Sequence, residues 1–393
     1  MPAKTNTYET SVANSESKAM VLHARVITGA GGGPDKTVLN SPRFLKPLGY
    51  DSSCLYLRPP NDIGFESIRQ RADFWKSPLE EIDDRGALDW RIVPKAIEVC
   101  RRLKVDIWHG HDYKTNLLGL LVAKRHPMKL VTTVHGWVKH TNKTPLYYKL
   151  DRWAIKRYQH VLCVSPDLVE QCKRSGVRED RLQLLENAID TEQFQRRSSP
   201  QEAKQKLGLA QDRLLVGAAG RLSPEKGFDM LIRCVAAIIA KGIPISLAII
   251  GDVSELYKLQ SLIDELGVGE NIRLAGFQSD MSQWYEAMDV FALSSLREGL
   301  PNVILEAMAL ETPIVSTKVA GVPRIIKDGV NGLIVPIDDE DAFTSALERL
   351  IEDPDLRKEL AKAGRAVIER SYSFEYRMRK ISEVYDSLDK AGN

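Results

Sequence analysis

Between residues 298 and 306 the chain reads Glu-Gly-Leu-Pro-Asn-Val-Ile-Leu-Glu, two carboxylates flanking a Gly/Pro corner within an otherwise apolar run. Pro301 suits the first position of a helix, where its missing N–H costs nothing. Asn302, Val303 and Ile304 then open that helix with amides that lack intrahelical partners, a ready seat for an anion. Glu306 falls between Leu305 and Ala307, where a charge is costly unless something specific pairs with it. A phosphate seat flanked by two hydrogen-bonding acceptors is what a sugar nucleotide requires. A surface helix with two solvated glutamates is the plainer explanation. The segment lies between two strand-like runs, DVFALSS (289–295) and PIVST (313–317). That places it at the carboxyl end of a strand, where open α/β sheets bind ligands, and the functional reading prevails.

Gly220-Arg221-Leu222-Ser223-Pro224-Glu225-Lys226-Gly227 follows an earlier apolar run at the same kind of strand-to-helix turn. Arg221 and Lys226 can converge there on one pyrophosphate, the first as a bidentate fork and the second as a point charge. Alone, the segment is equally a solvated basic turn. In one sheet with the Glu298–Glu306 element, it reads as the second half of a phosphate site.

In the first half of the chain, Gly29-Ala30-Gly31-Gly32-Gly33-Pro34 lies between a strand and a helix, where glycine permits close approach of backbone to a phosphate or sugar. The run is not a dependable GxGxxG, and no acidic residue follows a second strand as a ribose clamp, so a nicotinamide dinucleotide is disfavoured. His109-Gly110-His111-Asp112 ends one strand and Val134-His135-Gly136 the next, which brings these imidazoles toward one cleft. His and Asp ligate metals, but no further Cys or carboxylate stands at ligand spacing. Polar contact with a sugar or leaving group is therefore favoured over a metal site, with a purely structural role the alternative for any single histidine.

These residues need a scaffold of alternating strands and helices, and the chain supplies it. Strand-like segments at 20–28, 53–57, 105–109, 130–135 and 160–165 alternate with helical ones near 91–103, 115–126, 145–158 and 166–175. A polar stretch at 190–204 reads as a linker. The pattern restarts at 213–220, 245–251, 271–277, 289–295 and 313–317, and a final amphipathic segment covers 374–390. Two doubly wound units in series follow, as a length of 393 residues suggests.

Composition narrows the class further. A formal charge of +2 argues against a general nucleic-acid binder, and five scattered cysteines suit a reducing compartment. Residues 1–18 are polar and read as a loose tail. Between residues 101 and 160, thirteen Lys and Arg face three Asp and Glu, a concentration suited to anionic head groups or a phosphate-bearing acceptor.

With these residues set out, the chain resembles the retaining glycosyltransferases of family 4, which have the two-domain GT-B architecture. The resemblance spans residues 20 to 388. It is strongest in GRLSPEKGFDMLI (220–232), REGLPNVILEAMALETPIVSTKVAGVP (297–323) and DGVNGLIVP (328–336). It implies two Rossmann-like doubly wound parallel-sheet domains facing across a cleft. The first would cover 19–195, with 375–393 crossing back to it, and the donor-binding second 196–374. Arg221 and Lys226 match the pair that binds the donor pyrophosphate. Glu298 matches the contact to sugar hydroxyls and Glu306 the ribose holder, while Leu300, Pro301, Asn302 and Val303 complete the phosphate seat. His135 resembles the cleft histidine near the transferred sugar, and Gly32 and Gly33 the loop beneath donor and acceptor. Gly220 and Phe277 join the donor set, and His111 and Asp112 stand on the acceptor side.

The resemblance implies transfer of a hexose, with retention and no obligatory metal or other cofactor. The donor would be a UDP- or GDP-sugar and the acceptor a glycan or lipid-linked hydroxyl. The setting would be surface polysaccharide or glycolipid synthesis in the cytoplasm, with peripheral contact at the inner face of an anionic membrane. Some positions depart from the family pattern. Gly251-Asp252-Val253-Ser254 stands where Gly-Asp-Gly-Pro is frequent, and Arg324 where an acidic residue is usual. A sugar-nucleotide epimerase of similar architecture and a non-catalytic sugar-nucleotide-binding subunit are the alternatives, with a dehydrogenase more distant.

Overall fold

The computed structural model describes residues 17–136, 144–251, 255–278 and 280–390. The chain forms two compact units, one ending at Leu185 and resuming at Met378, the other running Glu186–Arg377.

The strands of the first unit are β1 Ala19–Val26, β2 Tyr50–Arg58, β3 Leu79–Asp83, β4 Ile107–Gly110, β5 Lys129–Val134, β6 His160–Cys163 and β7 Leu182–Leu184. They form one parallel sheet in the order β3-β2-β1-β4-β5-β6-β7. Those of the second unit are β8 Leu214–Ala219, β9 Ile245–Ile250, β10 Ile272–Gly276, β11 Val290–Leu293, β12 Ile314–Thr317 and β13 Leu333–Val335. Their sheet is also parallel, ordered β10-β9-β8-β11-β12-β13. Both are doubly wound, with the order reversing beside β1 and beside β8.

The central strands are legible because helices cover both faces of a parallel sheet, so each strand is a continuous apolar run. All four residues of VFAL in β11 and of IVST in β12 are buried. β3, β7 and β13, for which the sequence shows no clear run, lie at sheet edges. β3 buries only Ile82 of its five residues.

The polar stretch 190–204 is not a linker. Asp190 Oδ1 accepts the amides of Glu192 and Gln193 at 3.0 Å, and Arg196 donates to the carbonyls of Leu310 (2.8 Å) and Glu286 (2.9 Å). Ser199 caps the helix Pro200–Lys206 reciprocally with Glu202. Buried Lys204 pairs with Asp289 at 2.6 Å. Polar composition here serves caps and carbonyls rather than solvent. Residues 186–195, read from the sequence with the first domain, pack in the second unit, where Ile189 exchanges backbone hydrogen bonds with Tyr372 and Phe374.

The closing helix Phe374–Lys390 belongs to the first unit from Met378 onward. There the Tyr385 hydroxyl meets His109 Nδ1 at 2.6 Å, and Asp386 accepts from Tyr50 at 2.8 Å. Most of the expected N-terminal tail lies outside the described residues. Lys18, counted in it, donates its amide to Gly49 at 2.7 Å. Among the described residues, no helix is long and apolar enough to cross a membrane.

Candidate active site

Neighbouring β8 and β11 stand where the strand order of the second sheet reverses, so their carboxyl ends open a crevice. The chain leaves β8 through Gly220, whose φ of +154° suits glycine, and turns at Pro224–Lys226 into the helix Phe228–Ala240. It leaves β11 through Ser294 and Ser295. Two bonds stitch the two loops together: Ser294 Oγ donates to the Lys226 carbonyl at 2.9 Å and Leu296 N–H to the Glu225 carbonyl at 2.8 Å. A third ties the second loop to β12, whose Thr317 Oγ1 donates to the Ser295 carbonyl at 2.5 Å. Gly227 sits so close that a Cβ there would overlap the Ser294 carbonyl oxygen.

On this frame Lys226 Nζ lies 2.5 Å from Glu298 Oε1, both side chains largely withdrawn from solvent. Ser295 Oγ donates to the same carboxylate oxygen at 2.8 Å. Arg221 is placed differently. Its side chain is 72% exposed and reaches Glu225 only at 3.7 Å. The structure thus brings Lys226 and Glu298 together and leaves Arg221 extended at the rim.

The helix after Glu298 is Asn302–Ala309, one residue later than the sequence suggests. Pro301 is its extended N-cap (ψ 118°) rather than its first turn, and no side chain caps the helix. Its leading amides are therefore those of Asn302 and Val303, since Ile304 N–H turns back to the Pro301 carbonyl at 3.1 Å. Asn187 Nδ2 reaches Asn302 Oδ1 at 3.3 Å. Gly299 and Leu300 rest directly on Gly321, where a Cβ would collide with the Gly299 carbonyl.

Glu306 is half-buried, and its Oε2 accepts from the hydroxyl of fully buried Tyr285 at 2.8 Å. Burial, followed by the adjoining Glu306 carboxylate, pushes the Tyr285 phenol well above its ordinary range, so it stays a donor. The specific partner demanded by a carboxylate among Leu305 and Ala307 is thus a tyrosine from the helix Ser282–Ala287. Phe277 follows edge strand β10 and is 74% exposed.

In the first unit, Gly32 caps the helix Gly33–Leu45, and its N–H donates to Asp35 at 2.7 Å. Buried Asp35 also takes Arg25 at 2.7 Å and the Tyr56 hydroxyl at 3.1 Å, anchoring the glycine loop. Space beside Gly32 and Gly33 is open. His135 follows β5 half-buried, its Nε2 3.2 Å from His111 Nδ1, and His111 Nε2 lies 3.1 Å from His23 Nδ1. Burial lowers His23 to about 3, and burial with three neighbouring imidazoles takes His111 well below the ordinary range. His23 and His111 are therefore held in the neutral form at pH 7. Both nitrogens of His109 are engaged, by Thr133 and Tyr385, and its ring lies 13° from parallel to His111. His23 bonds to His111 with its ring tilted 31° to that ring, and His109 stacks on His111, so the three imidazoles, each with a nitrogen within 4.8 Å of the others', form one buried cluster.

Asp112 occupies a structural position. One oxygen accepts the amides of Lys114 and Thr115 at the start of the helix Tyr113–Ala123, and the other accepts Val26 N–H at 2.7 Å. Burial raises its carboxyl above the usual value, against those hydrogen bonds. Sequence reading missed Tyr285, Ser295, Asp35 and His23. Only Asp35 carried a signal, an acid three residues past a glycine N-cap.

Residues 199–367 match the family model for glycosyl transferases group 1, and residues 31–193 match that for glycosyltransferase family 4. The chain belongs to the family 4 glycosyltransferases. A capsular polysaccharide biosynthesis glycosyltransferase, CapM, of Staphylococcus aureus is 28% identical over 317 residues, 77% of this chain and 82% of CapM. The UDP-Gal:alpha-D-GlcNAc-diphosphoundecaprenol alpha-1,3-galactosyltransferase of Escherichia coli is 28% identical over 310 residues, 76% of this chain and 79% of that enzyme. Among solved structures, Anabaena HepE in complex with UDP superposes with a TM-score of 0.75 at 20% identity, over 94% of this chain and 100% of HepE. This glycosyltransferase therefore has the GT-B fold. The group 1 match encloses Gly220, Arg221, Lys226, Tyr285, Ser295, Glu298, Asn302 and Glu306.

Proposed function

We propose that this glycosyltransferase moves a hexose, with retention at the anomeric carbon, from a nucleoside-diphosphate sugar to a hydroxyl of a glycan or lipid-linked acceptor. The observation that carries the proposal is the Lys226–Glu298 pair beside an uncapped helix N-terminus at the strand switch point. Cation and helix dipole favour a diphosphate, and the adjoining carboxylate can accept sugar hydroxyls. Glu306, held by Tyr285, takes the ribose hydroxyls. Arg221 is long and exposed enough to turn onto the diphosphate. In the first unit we assign the acceptor side to the Gly32-Gly33 loop, His135 and His111, whereas Asp112 serves as a helix cap.

In this reading the acceptor oxygen bonds to the anomeric carbon on the face from which the diphosphate departs, and the acceptor proton passes to the leaving phosphate. Lys226, Arg221 and the amides of Asn302 and Val303 offset the charge that grows there. No metal is assigned a role. The named activities of the capsular and galactosyl relatives support a place in surface polysaccharide or glycolipid assembly and favour a uridine donor.

A thermal-shift panel of UDP, GDP, ADP and NAD with matching sugar nucleotides, on wild type and Glu306→Ala, tests the proposal. A ligand at about a hundred times its dissociation constant adds roughly 2.7 kcal/mol of stability. Stabilisation by one nucleoside diphosphate, lost in the variant, is the expected result. Stabilisation by NAD alone, or by none of the panel, overturns the reading.

A further inference from the structure

The first residues of the second unit, Glu186 to Ile189, are fixed to it at both ends. Ile189 exchanges backbone hydrogen bonds with Tyr372 and Phe374 at 2.9 Å, and its side chain is buried in the apolar core that holds Ile304, Leu305 and Val322. Buried Arg377 donates to the Glu186 carbonyl. The Glu186 carboxylate lies 2.6 Å from the Arg324 guanidinium, with both side chains mostly withdrawn from solvent. Arg324 departs from the family pattern, and Glu186 is the carboxylate that the departure faces. Tyr372 closes the cluster, its hydroxyl donating to the Arg324 carbonyl at 3.0 Å.

Asn187 lies between these two anchors, and its Nδ2 donates to Oδ1 of Asn302 at 3.3 Å. Asn302 is the first residue of the uncapped helix Asn302–Ala309. An asparagine side-chain oxygen readily accepts its own amide or one two residues on. Here those amides stand at the helix end proposed to seat the diphosphate. With Oδ1 taken by Asn187, it does not compete with an anion for them. Arg324 lies just beyond Gly321, on which Gly299 and Leu300 rest, so the Glu186–Arg324 pair also ties down the corner beneath the seat.

We propose that Asn187 is a positioning residue for the donor diphosphate, holding the Asn302 side chain off the helix amides, and that the Glu186–Arg324 pair holds Asn187 in place. This role rests on the reading of that helix start as the phosphate seat. A residue already fixed on both sides offers Asn302 its hydrogen bond at little further entropic cost.

Calorimetric titration of the full chain with UDP and GDP tests it, with uridine and guanosine measured in competition against the diphosphate that binds. Asn187→Ala should weaken that diphosphate about two- to fivefold, the scale of one exposed hydrogen bond, and leave its nucleoside unchanged. Arg324→Glu, which sets two carboxylates together, should weaken it at least as much, whereas Arg324→Lys should bind as wild type. The Asn187–Asn302 bond is exposed, so the melting temperature of Asn187→Ala without ligand should stay at the wild-type value. If neither diphosphate binds the wild type, the reading of the seat falls and this role with it. If one binds, and Asn187→Ala binds it as tightly or loses the nucleoside equally, the seat stands and the role of Asn187 is overturned. Wild-type binding by Arg324→Glu overturns the part assigned to the Glu186–Arg324 pair.

Discussion

Lys226 and Glu298 hold each other at 2.5 Å across the carboxyl ends of two adjacent parallel strands, with Ser295 donating to the same carboxylate oxygen. The pair is largely withdrawn from water, so neither charge is accommodated without the other. In the proposed reaction an arriving diphosphate would give Lys226 a second anion, and sugar hydroxyls would give Glu298 donors in place of part of the ammonium. The pair would then be preorganised by the groups that its ligand later engages.

Lys226→Ala should lower turnover by about 10²–10³, the usual scale for removing one preorganised charge-stabilising group, with a smaller change in the Michaelis constant. Steady-state kinetics on the matched donor decide this. An unchanged kcat with only a raised KM would limit Lys226 to ground-state binding.

Tyr285→Phe removes the hydroxyl that anchors Glu306 and leaves the ring packed against Phe291. Calorimetric titration should show nucleoside-diphosphate affinity weakened about five- to tenfold, the scale of one ordinary intramolecular hydrogen bond. A loss of stability with affinity intact would make Tyr285 a core residue only.

Gly321→Ala and Gly299→Ala form a matched contrast. A Cβ on Gly321 would collide with the Gly299 carbonyl, whereas one on Gly299 meets nothing. Denaturant unfolding should show the first destabilised by about 1–3 kcal/mol, as for an overpacked contact, and the second near wild type. Equal effects would mean that the backbone beneath the phosphate seat gives way easily.

The histidine stack predicts an acid-side loss of stability. Folding holds His23 at about 3 because burial disfavours its charged form, against an ordinary value of 6.5. The unfolded chain binds that proton first as pH falls, so stability is complete above pH 6.5 and declines from there toward about pH 3. The decline should approach 1.4 kcal/mol per pH unit for each such histidine at its steepest, roughly the value of one pKa unit. Denaturant melts between pH 7 and pH 4 should show His23→Leu losing one histidine's share of the slope. An unaltered slope would mean that His23 is already protonated in the folded protein.

The alternation of apolar runs and helical segments was enough to place two doubly wound parallel units, because each interior strand is covered on both faces and spells itself out without interruption. The residues proposed for the phosphate seat were legible for a related reason. Gly220, Lys226, Glu298 and Asn302 break such runs at strand ends, where glycine, charge and an uncapped helix start are locally anomalous. The adjacency of β8 and β11 was not local information, and it alone carries Lys226 to Glu298. Tyr285 looks like any core aromatic until the fold sets its hydroxyl against Glu306, and His23 is one residue in an ordinary strand until β4 pairs with β1. Edge strands and the capped, carbonyl-binding stretch 190–204 were opaque as well, since partners chosen by tertiary packing turn polar sequence into structure. Residue types along the chain thus determined what chemistry was available, and the order of strands in each sheet decided which of those groups meet.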